Sequence, residues 1–195
     1  MNELPLFLLK TVLFPGGRLG LRVFEKRYLD MISACMKAER PFGVCLIRSG
    51  QEVGEAAQPH PFGTIGHIIE WDMAQAGILQ ICVRGGRRFG VTDTRVCADQ
   101  LIVADVEFAP EEPEVELSGD HSYLKELLAK ILEQVGEQYY FPPAKLDDAV
   151  WIAYRLTELL PMPDTFKQQV LEQPDVTRRL DMLAGAIDAA CDDET

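Results

Sequence analysis

The side chains best suited to metal binding or nucleophilic catalysis in this sequence are three histidines and five cysteines. A catalytic zinc ion needs about three protein ligands at workable spacing, as in H-E-x-x-H, and the segment His67-Ile-Ile-Glu70 does not provide that pattern. Neither the G-x-S-x-G turn of serine hydrolases nor the G-x-x-x-x-G-K-[ST] phosphate loop occurs. The sequence therefore predicts no catalytic residue, no metal ligand and no cofactor.

Three of the cysteines, Cys45, Cys82 and Cys97, lie in apolar, strand-like runs, where a free thiol behaves as a small hydrophobic group. The cysteine count is odd and no C-x-x-C occurs, which favours a reducing compartment and predicts a cytoplasmic protein. His67 also lies in an apolar strand and is interpreted as structural. One catalytic alternative stays open, because a hydrolase would arise if the fold placed one of these thiols beside His67.

Apolar side chains near predicted turns, together with one cluster of arginines, are the residues best suited to contacting another polypeptide. Exposed aromatic and methionine side chains commonly mark protein contacts, and arginine binds carboxylates in a bidentate geometry. Core packing and ordinary surface charge are the competing interpretations. The candidate peptide-binding residues are Phe14, Phe62, Trp71, Met73, Arg87 and Arg88.

The elements that must position these residues begin with a strand-rich segment. Alternating apolar residues, as in Ile102, Ala104 and Val106, are typical of β-strands, and apolar residues at helical spacing predict one helix over 25–38. The glycine pair at 85–86 predicts a break between two strands. The strands are predicted over residues 4–9, 19–23, 42–47, 64–71, 78–84, 88–96 and 101–108. Short strands with regular glycine punctuation indicate a closed or nearly closed β-barrel.

The rest of the chain is predicted to be helical. Residues 111–120 are acidic and rich in proline, which predicts a linker. Three or four short amphipathic helices follow, with Asp147 or Asp148, Asp164 and Asp175 as candidate N-caps. The predicted organisation is a β-barrel over residues 1–110, the linker over 111–120 and a helical bundle over 121–195, which makes the fold class α+β.

The net charge of the chain is unevenly distributed. The 195 residues carry a formal charge of −12, and residues 111–195 account for all of it, with 19 acidic and 7 basic side chains. Nucleic-acid binding generally needs a basic surface, so this distribution opposes a nucleic-acid partner. The longest apolar stretch is short and is interrupted by Pro5 and Lys10, so no membrane span is predicted.

Several short motifs, in order along nearly the whole chain, resemble the substrate-recognition (N-terminal) domain of the ATP-dependent Lon protease. They are Leu4-Pro-Leu-Phe7, Phe14-Pro-Gly16, Phe24-Glu-Lys-Arg-Tyr28, Gly63-Thr64, Gly85-Gly-Arg-Arg-Phe89 and Leu160-Pro-Met-Pro163. The resemblance implies a PUA-like β pseudo-barrel with a helical extension, which cereblon also carries. It further implies that the chain recognises polypeptide without cutting it, and we expect a free-standing recognition domain without ATPase or protease domains.

The leading hypothesis is a non-enzymatic module that binds exposed apolar segments of polypeptide substrates or another protein. The alternative from the same resemblance is a small-molecule or RNA-binding module, because PUA-like folds include RNA binders. An unrecognised hydrolase, built from a thiol and His67, is the third hypothesis. A homodimer is compatible with apolar side chains near turns, although the sequence does not establish one.

Overall fold

Six strands and five α-helices form in residues 3–75 and 77–193, which are the residues that the computed structural model describes. The strands are β1 (Glu3–Leu9), β2 (Arg18–Val23), β3 (Phe42–Ser49), β4 (Gln58–Gln75), β5 (Ile78–Val96) and β6 (Ile102–Phe108). The helices are α1 (Lys26–Ala38), α2 (Ser122–Val135), α3 (Ala149–Leu159), α4 (Asp164–Glu172) and α5 (Val176–Asp193). The predicted α+β class is confirmed.

The strands form one mixed sheet that closes on itself. Its order is β2-β5-β4-β3-β1-β6, and β5 also pairs with β6, so β1, β3, β4, β5 and β6 make a ring. Only β1 and β3 are parallel, whereas the other pairs are antiparallel. Strand β2 lies outside the ring and pairs with the first part of β5. The barrel predicted from short apolar runs is therefore confirmed as a ring with one additional strand.

The alternation of side chains along β1 supplies two hydrophobic cores, one on each side of the strand. Leu4, Leu6 and Leu8 pack inside the ring with residues such as Phe89 and Ala104. Phe7 and Leu9 belong to a second cluster, beneath α1, with residues of α1, β2, β3 and β5. The ring of Phe7 stacks on that of Tyr28 at a centroid distance of 4.1 Å. Helix α1 is thus held against the outside of the ring by apolar burial.

The glycine pair at 85–86 does not break the sheet, and the two strands predicted over 78–84 and 88–96 are one strand, β5. Gly85 is bonded to the turn before β2: its N–H donates to the Gly17 carbonyl (2.9 Å), and its carbonyl accepts from Gly16 N–H (2.8 Å). A Cβ on Gly85 would lie 1.9 Å from the carbonyl oxygen of Phe14. Glycine is therefore required there for close approach of two backbones, rather than for a turn.

The chain divides into two units, Met1–Pro110 and Glu111–Thr195, and the second has its own apolar core. That core is built from α2, α3 and α5, with Leu128, Ile152 and Leu183 fully buried. The side chain of Asp148 caps α3 by accepting a hydrogen bond from Val150 N–H (3.0 Å). None of the helices in the described ranges is long and apolar enough to cross a membrane.

The segment predicted as a linker over residues 111–120 is instead packed into the second unit. Glu112 accepts hydrogen bonds from the Tyr154 hydroxyl (2.7 Å) and from the guanidinium of Arg179. Glu116 forms an isolated antiparallel bridge with Asp148. The acidic, proline-rich composition predicted a linker, but ion pairing and main-chain bonds fix these residues.

Candidate functional site

Two of the six predicted peptide-binding residues, Trp71 and Met73, are prominently exposed. Their side chains are 59% and 61% accessible, and Ile69 of the same strand is 41% accessible. The β4–β5 pairing shifts register between Ile68 and Glu70, so simple alternation does not apply here. Ile69 and Trp71 nevertheless line one open space and Trp71 and Met73 line the next, so the three side chains form an apolar stripe along β4. The surface position expected for Trp71 and Met73 is therefore present, although their role in binding stays a prediction.

The expectation that Phe14 is exposed near a turn is wrong, because its side chain is fully buried. The turn that carries it folds back onto β5, where Gly16 and Gly17 bond with Gly85. Phe62 is half-buried and lies across from Gly90 in the β4–β5 pairing. The two phenylalanines thus contribute to packing within the first unit.

The expectation that Arg87 and Arg88 form one exposed cluster is also wrong, because neighbouring residues of a strand point to opposite faces. Arg88 is buried, with 6% of its surface accessible, whereas Arg87 is exposed. Arg87 donates to the carbonyl oxygen of Ala109 (2.8 Å), and its guanidinium lies 5.5 Å from the ring centroid of Phe108. The two side chains therefore do not act together on one ligand.

An open groove separates α1 from the β4–β5 hairpin, and we call it the α1 groove. It is apolar near Met73 and of mixed polarity near His67, where Glu39 and Arg40 also line it. It has a volume of about 390 Å³ near Met73 and continues into a space of about 430 Å³ near His67. Met36 and Trp71 line both parts. The α1 side is formed by Leu29, Ser33, Met36 and Lys37, and the strand side by Ile69, Trp71, Met73 and Ile78.

Helical periodicity explains why α1 presents this second apolar face. Tyr28, Ile32 and Cys35 point into the core of the first unit. Leu29 and Met36 directly follow the buried Tyr28 and Cys35 in the sequence. They lie at the edge of that core and reach the groove. Trp71 and Met73 were predicted from the sequence as contact residues, whereas Leu29 and Met36 were not, because helical spacing places both next to the buried residues of α1.

A second open apolar groove, which we call the β2 groove, was not predicted. It has a volume of about 360 Å³, and its most exposed members are Phe24 and Val53, each 56% accessible. Phe24 was read only as part of a helix-start motif, and Val53 lies in a polar loop without periodicity. The remaining lining residues come from β1, β2 and the start of α1.

A buried ion pair fixes the loop that carries Val53. Arg27 is 6% accessible and donates to Glu25 (3.1 Å), to the Glu52 carbonyl (3.2 Å) and to the Gln100 carbonyl (3.0 Å). Gly54 N–H donates to the second carboxylate oxygen of Glu25 (3.2 Å). The residues Glu25 and Arg27 therefore position one wall of the β2 groove.

Two of the three thiols considered for a hydrolase, Cys45 and Cys82, lack the character of a catalytic nucleophile. His67 is exposed on β4, contrary to its interpretation as a structural core residue, and Cys45 is buried inside the ring. Burial raises the pKa of the Cys45 thiol well above its usual range, and burial also raises the pKa of Cys82. Nucleophilic cysteines have depressed pKa values, so neither thiol has that character.

His121 takes part in the structure of the second unit. Its Nδ1 lies 3.2 Å from the Ser118 hydroxyl, and its Nε2 lies 3.0 Å from Asp181 of α5. Ser118 is the residue before a short 3₁₀ turn that leads into α2, so the contacts tie the start of α2 to α5. Among the described residues, no group of three or more His, Cys, Asp and Glu side chains is arranged to hold a metal ion.

The raised pKa of Cys45 leads to a prediction about alkylation. In the native protein at neutral pH, we expect iodoacetamide to modify Cys45 at least about tenfold more slowly than the partly exposed Cys97, because both access and thiolate population are low at Cys45. Peptide mass spectrometry with and without urea measures this difference. Equal native rates at the two thiols would contradict the prediction.

Comparisons with known proteins agree on one family. The model of the ATP-dependent protease La (LON) substrate-binding domain matches residues 3–188. A Lon N-terminal domain protein from Xanthomonas campestris has 36% sequence identity and a TM-score of 0.81, over 95% of this chain and 98% of that one. The N-terminal domain of the Mycobacterium avium complex Lon protease shares the fold, with a TM-score of 0.66 at 18% identity over 93% and 96%.

Two full-length relatives place the match within longer proteins. Lon protease 2 of Herpetosiphon aurantiacus is 27% identical over 93% of this chain, and the Lon protease of Xanthomonas oryzae pv. oryzae is 24% identical over 97%. In both cases the aligned region is 23% of the relative's length. The chain therefore spans about a quarter of each of these proteases.

Proposed function

The chain belongs to the ATP-dependent protease La (LON) substrate-binding domain family, and from that premise we propose that it binds exposed apolar segments of polypeptides in the α1 groove. The observation that carries the proposal is the stripe of Ile69, Trp71 and Met73, which stays exposed beside Met36. Contiguous exposed apolar side chains are uncommon on soluble proteins and generally mark interaction sites.

The composition of the groove suits clients of varied sequence. Met36 and Met73 have flexible, polarisable side chains that adapt to different partners, a property of promiscuous binding surfaces. Trp71 offers a large rigid surface, and tryptophan is enriched among residues that dominate binding energy. Lys37 and Arg40 lie at the rim, where charges influence partner orientation and association rate.

The proposal predicts a loss of binding without a loss of stability. For fluorescently labelled, reduced and carboxymethylated α-lactalbumin, which is permanently unfolded, we expect the Trp71→Ala/Met73→Ala variant to bind about tenfold or more weakly than wild type. Because both side chains are largely exposed, the free energy of unfolding should change by less than about 1 kcal/mol. Fluorescence anisotropy and urea titration measure the two quantities.

The matched control is the variant Val96→Ala/Tyr139→Ala, which removes an aliphatic and an aromatic side chain of similar exposure, 54% and 49%, neither of which lines the groove. It should bind as wild type does, and native α-lactalbumin should not bind. If wild type fails to bind the unfolded protein, or if Trp71→Ala/Met73→Ala retains full affinity, the α1 groove is not the binding site.

A further inference from the structure

The outer edge of β2 carries main-chain groups without a partner in the described part of the chain. Strand β2 pairs with β5 alone, from Arg18 opposite Arg84 to Val23 opposite Leu79. The bond from Gly85 N–H to the Gly17 carbonyl sets the phase of this antiparallel ladder. Since bonded and non-bonded pairs alternate, the N–H and C=O groups of Gly20 and Arg22 point away from β5.

The β2 groove lies along this edge. Its lining includes Gly20 and Arg22 of β2 and Phe7 to Leu9 of β1. Strand β6 pairs with β1 only up to Leu6, so it does not cover the end of β1 that lines the groove. Phe24 and Val53 add exposed apolar surface. Open main-chain donors and acceptors therefore run beside an apolar depression.

The edge carries charge at Arg18 and Arg22 but contains no proline and, among the described strands, no strand covers it. Charged side chains, prolines, bulges or a covering element normally discourage pairing with another chain. In β2 the central residue is Gly20, and a Cβ added there would meet nothing within 4 Å. Another main chain can therefore approach Gly20 closely, with Arg22 as the exposed charge nearby.

We propose that an extended segment of a client polypeptide adds to the outer edge of β2 as a further antiparallel or parallel strand. This inference rests on the proposed function and specifies the conformation of the client. A helix pairs its own main-chain N–H and C=O groups internally. An extended segment instead presents N–H and C=O groups at alternate residues, where they can bond with those of Gly20 and Arg22. Its apolar side chains contact Phe24 and Val53, and an acidic side chain pairs with Arg22.

The first test compares Arg22→Pro with Arg22→Ala. Proline removes the outward N–H without touching the bonds to β5, whereas alanine removes the same charge and keeps the N–H. The probe is a fluorescein-labelled peptide in which valine alternates with threonine and one central valine is replaced by aspartate, because Arg22 and Phe24 are alternate residues and so lie on the same face. We expect Arg22→Pro to bind this peptide about tenfold more weakly than Arg22→Ala by anisotropy. Equal affinities would overturn the proposal.

The second test does not depend on the folding of any variant. Single N-methyl groups placed along the peptide should weaken its binding to wild type at every second residue, because only alternate N–H groups face β2. A uniform effect, or none, would overturn strand addition. A wild-type dimer that Arg22→Pro converts to monomer in sedimentation analysis would assign the edge to a second copy of this chain, and would also overturn it.

These outcomes separate the two proposals. Unfolded α-lactalbumin that binds through Trp71 and Met73, with no alternation in the N-methyl series, would leave the proposed function intact and remove strand addition. Failure of both the unfolded protein and the peptide to bind wild type would remove both. Alternation together with normal binding by Trp71→Ala/Met73→Ala would support the β2 edge and reject the α1 groove.

Discussion

Glu112→Ala is expected to lower the free energy of unfolding of the second unit by about 3–5 kcal/mol, because it leaves a buried guanidinium without its carboxylate. Arg179 is fully buried, and both of its terminal nitrogens donate to Glu112, which is itself mostly buried. Nε of Arg179 donates to the Gln173 carbonyl (2.6 Å), and its guanidinium lies 4.7 Å from the ring centroid of Tyr154. These contacts hold the charge in place once its counter-ion is removed.

The measurement can be confined to the second unit because the chain has two tryptophans. In a Trp71→Phe background, Trp151 of α3 is the only tryptophan, and its fluorescence during urea unfolding reports on that unit. The matched control is Glu114→Ala, which breaks an exposed pair with Lys145 and should cost less than about 1 kcal/mol. Equal effects of Glu112→Ala and Glu114→Ala would show that the buried pair adds no stability.

Gly85→Ala is expected to destabilise the first unit by about 3 kcal/mol, because the new methyl group would overlap backbone rather than a movable side chain. Its Cβ would lie 1.9 Å from the carbonyl oxygen and 2.9 Å from the carbonyl carbon of Phe14. Relief requires the turn at residues 14–17 to separate from β5, which would break the two hydrogen bonds that Gly85 makes with Gly16 and Gly17. The register of β2 depends on this attachment.

Gly20→Ala is the control for this change, since a Cβ at Gly20 meets nothing within 4 Å and the residue lies in the same pair of strands. It should alter the free energy of unfolding by less than about 1 kcal/mol. Thermal unfolding followed by Trp71 fluorescence in a Trp151→Phe background measures both variants. If Gly85→Ala and Gly20→Ala unfold at the same temperature, the structure relieves the close approach at Gly85 at little cost in stability.

Local patterns in the sequence were sufficient for most elements of the first unit and for the helix starts of the second. The alternation along 102–108 and the helical spacing along 25–38 predicted β6 and α1 closely. Asp148 and Asp175 accept hydrogen bonds as predicted caps, because a cap acts on main-chain N–H groups only two or three residues away. The prediction of Asp164 as a cap is wrong, because Pro163 occupies the N-cap position of α4 and Asp164 is its first residue. The family could also be recognised from the sequence, since its short motifs occur in the expected order along the chain.

The candidate site was only partly predictable. The exposure of Trp71 and Met73 was expected from their position near a predicted turn, but Phe14 and Arg88 were also expected on the surface and are buried. A turn signal does not say whether the turn folds back onto a strand, and adjacent arginines do not reveal that a strand separates them onto opposite faces.

What the sequence determined by itself is therefore the type of most elements, the approximate extent of those with clear periodicity, and the family to which the chain belongs. The tertiary structure decided which faces meet. It brought Met36 beside Trp71, opened the edge of β2 along Phe24 and Val53, and paired Glu112 with Arg179 across 67 residues. The physical reason is that periodicity and capping depend on neighbours a few residues away, whereas grooves and buried ion pairs depend on strand order and helix packing.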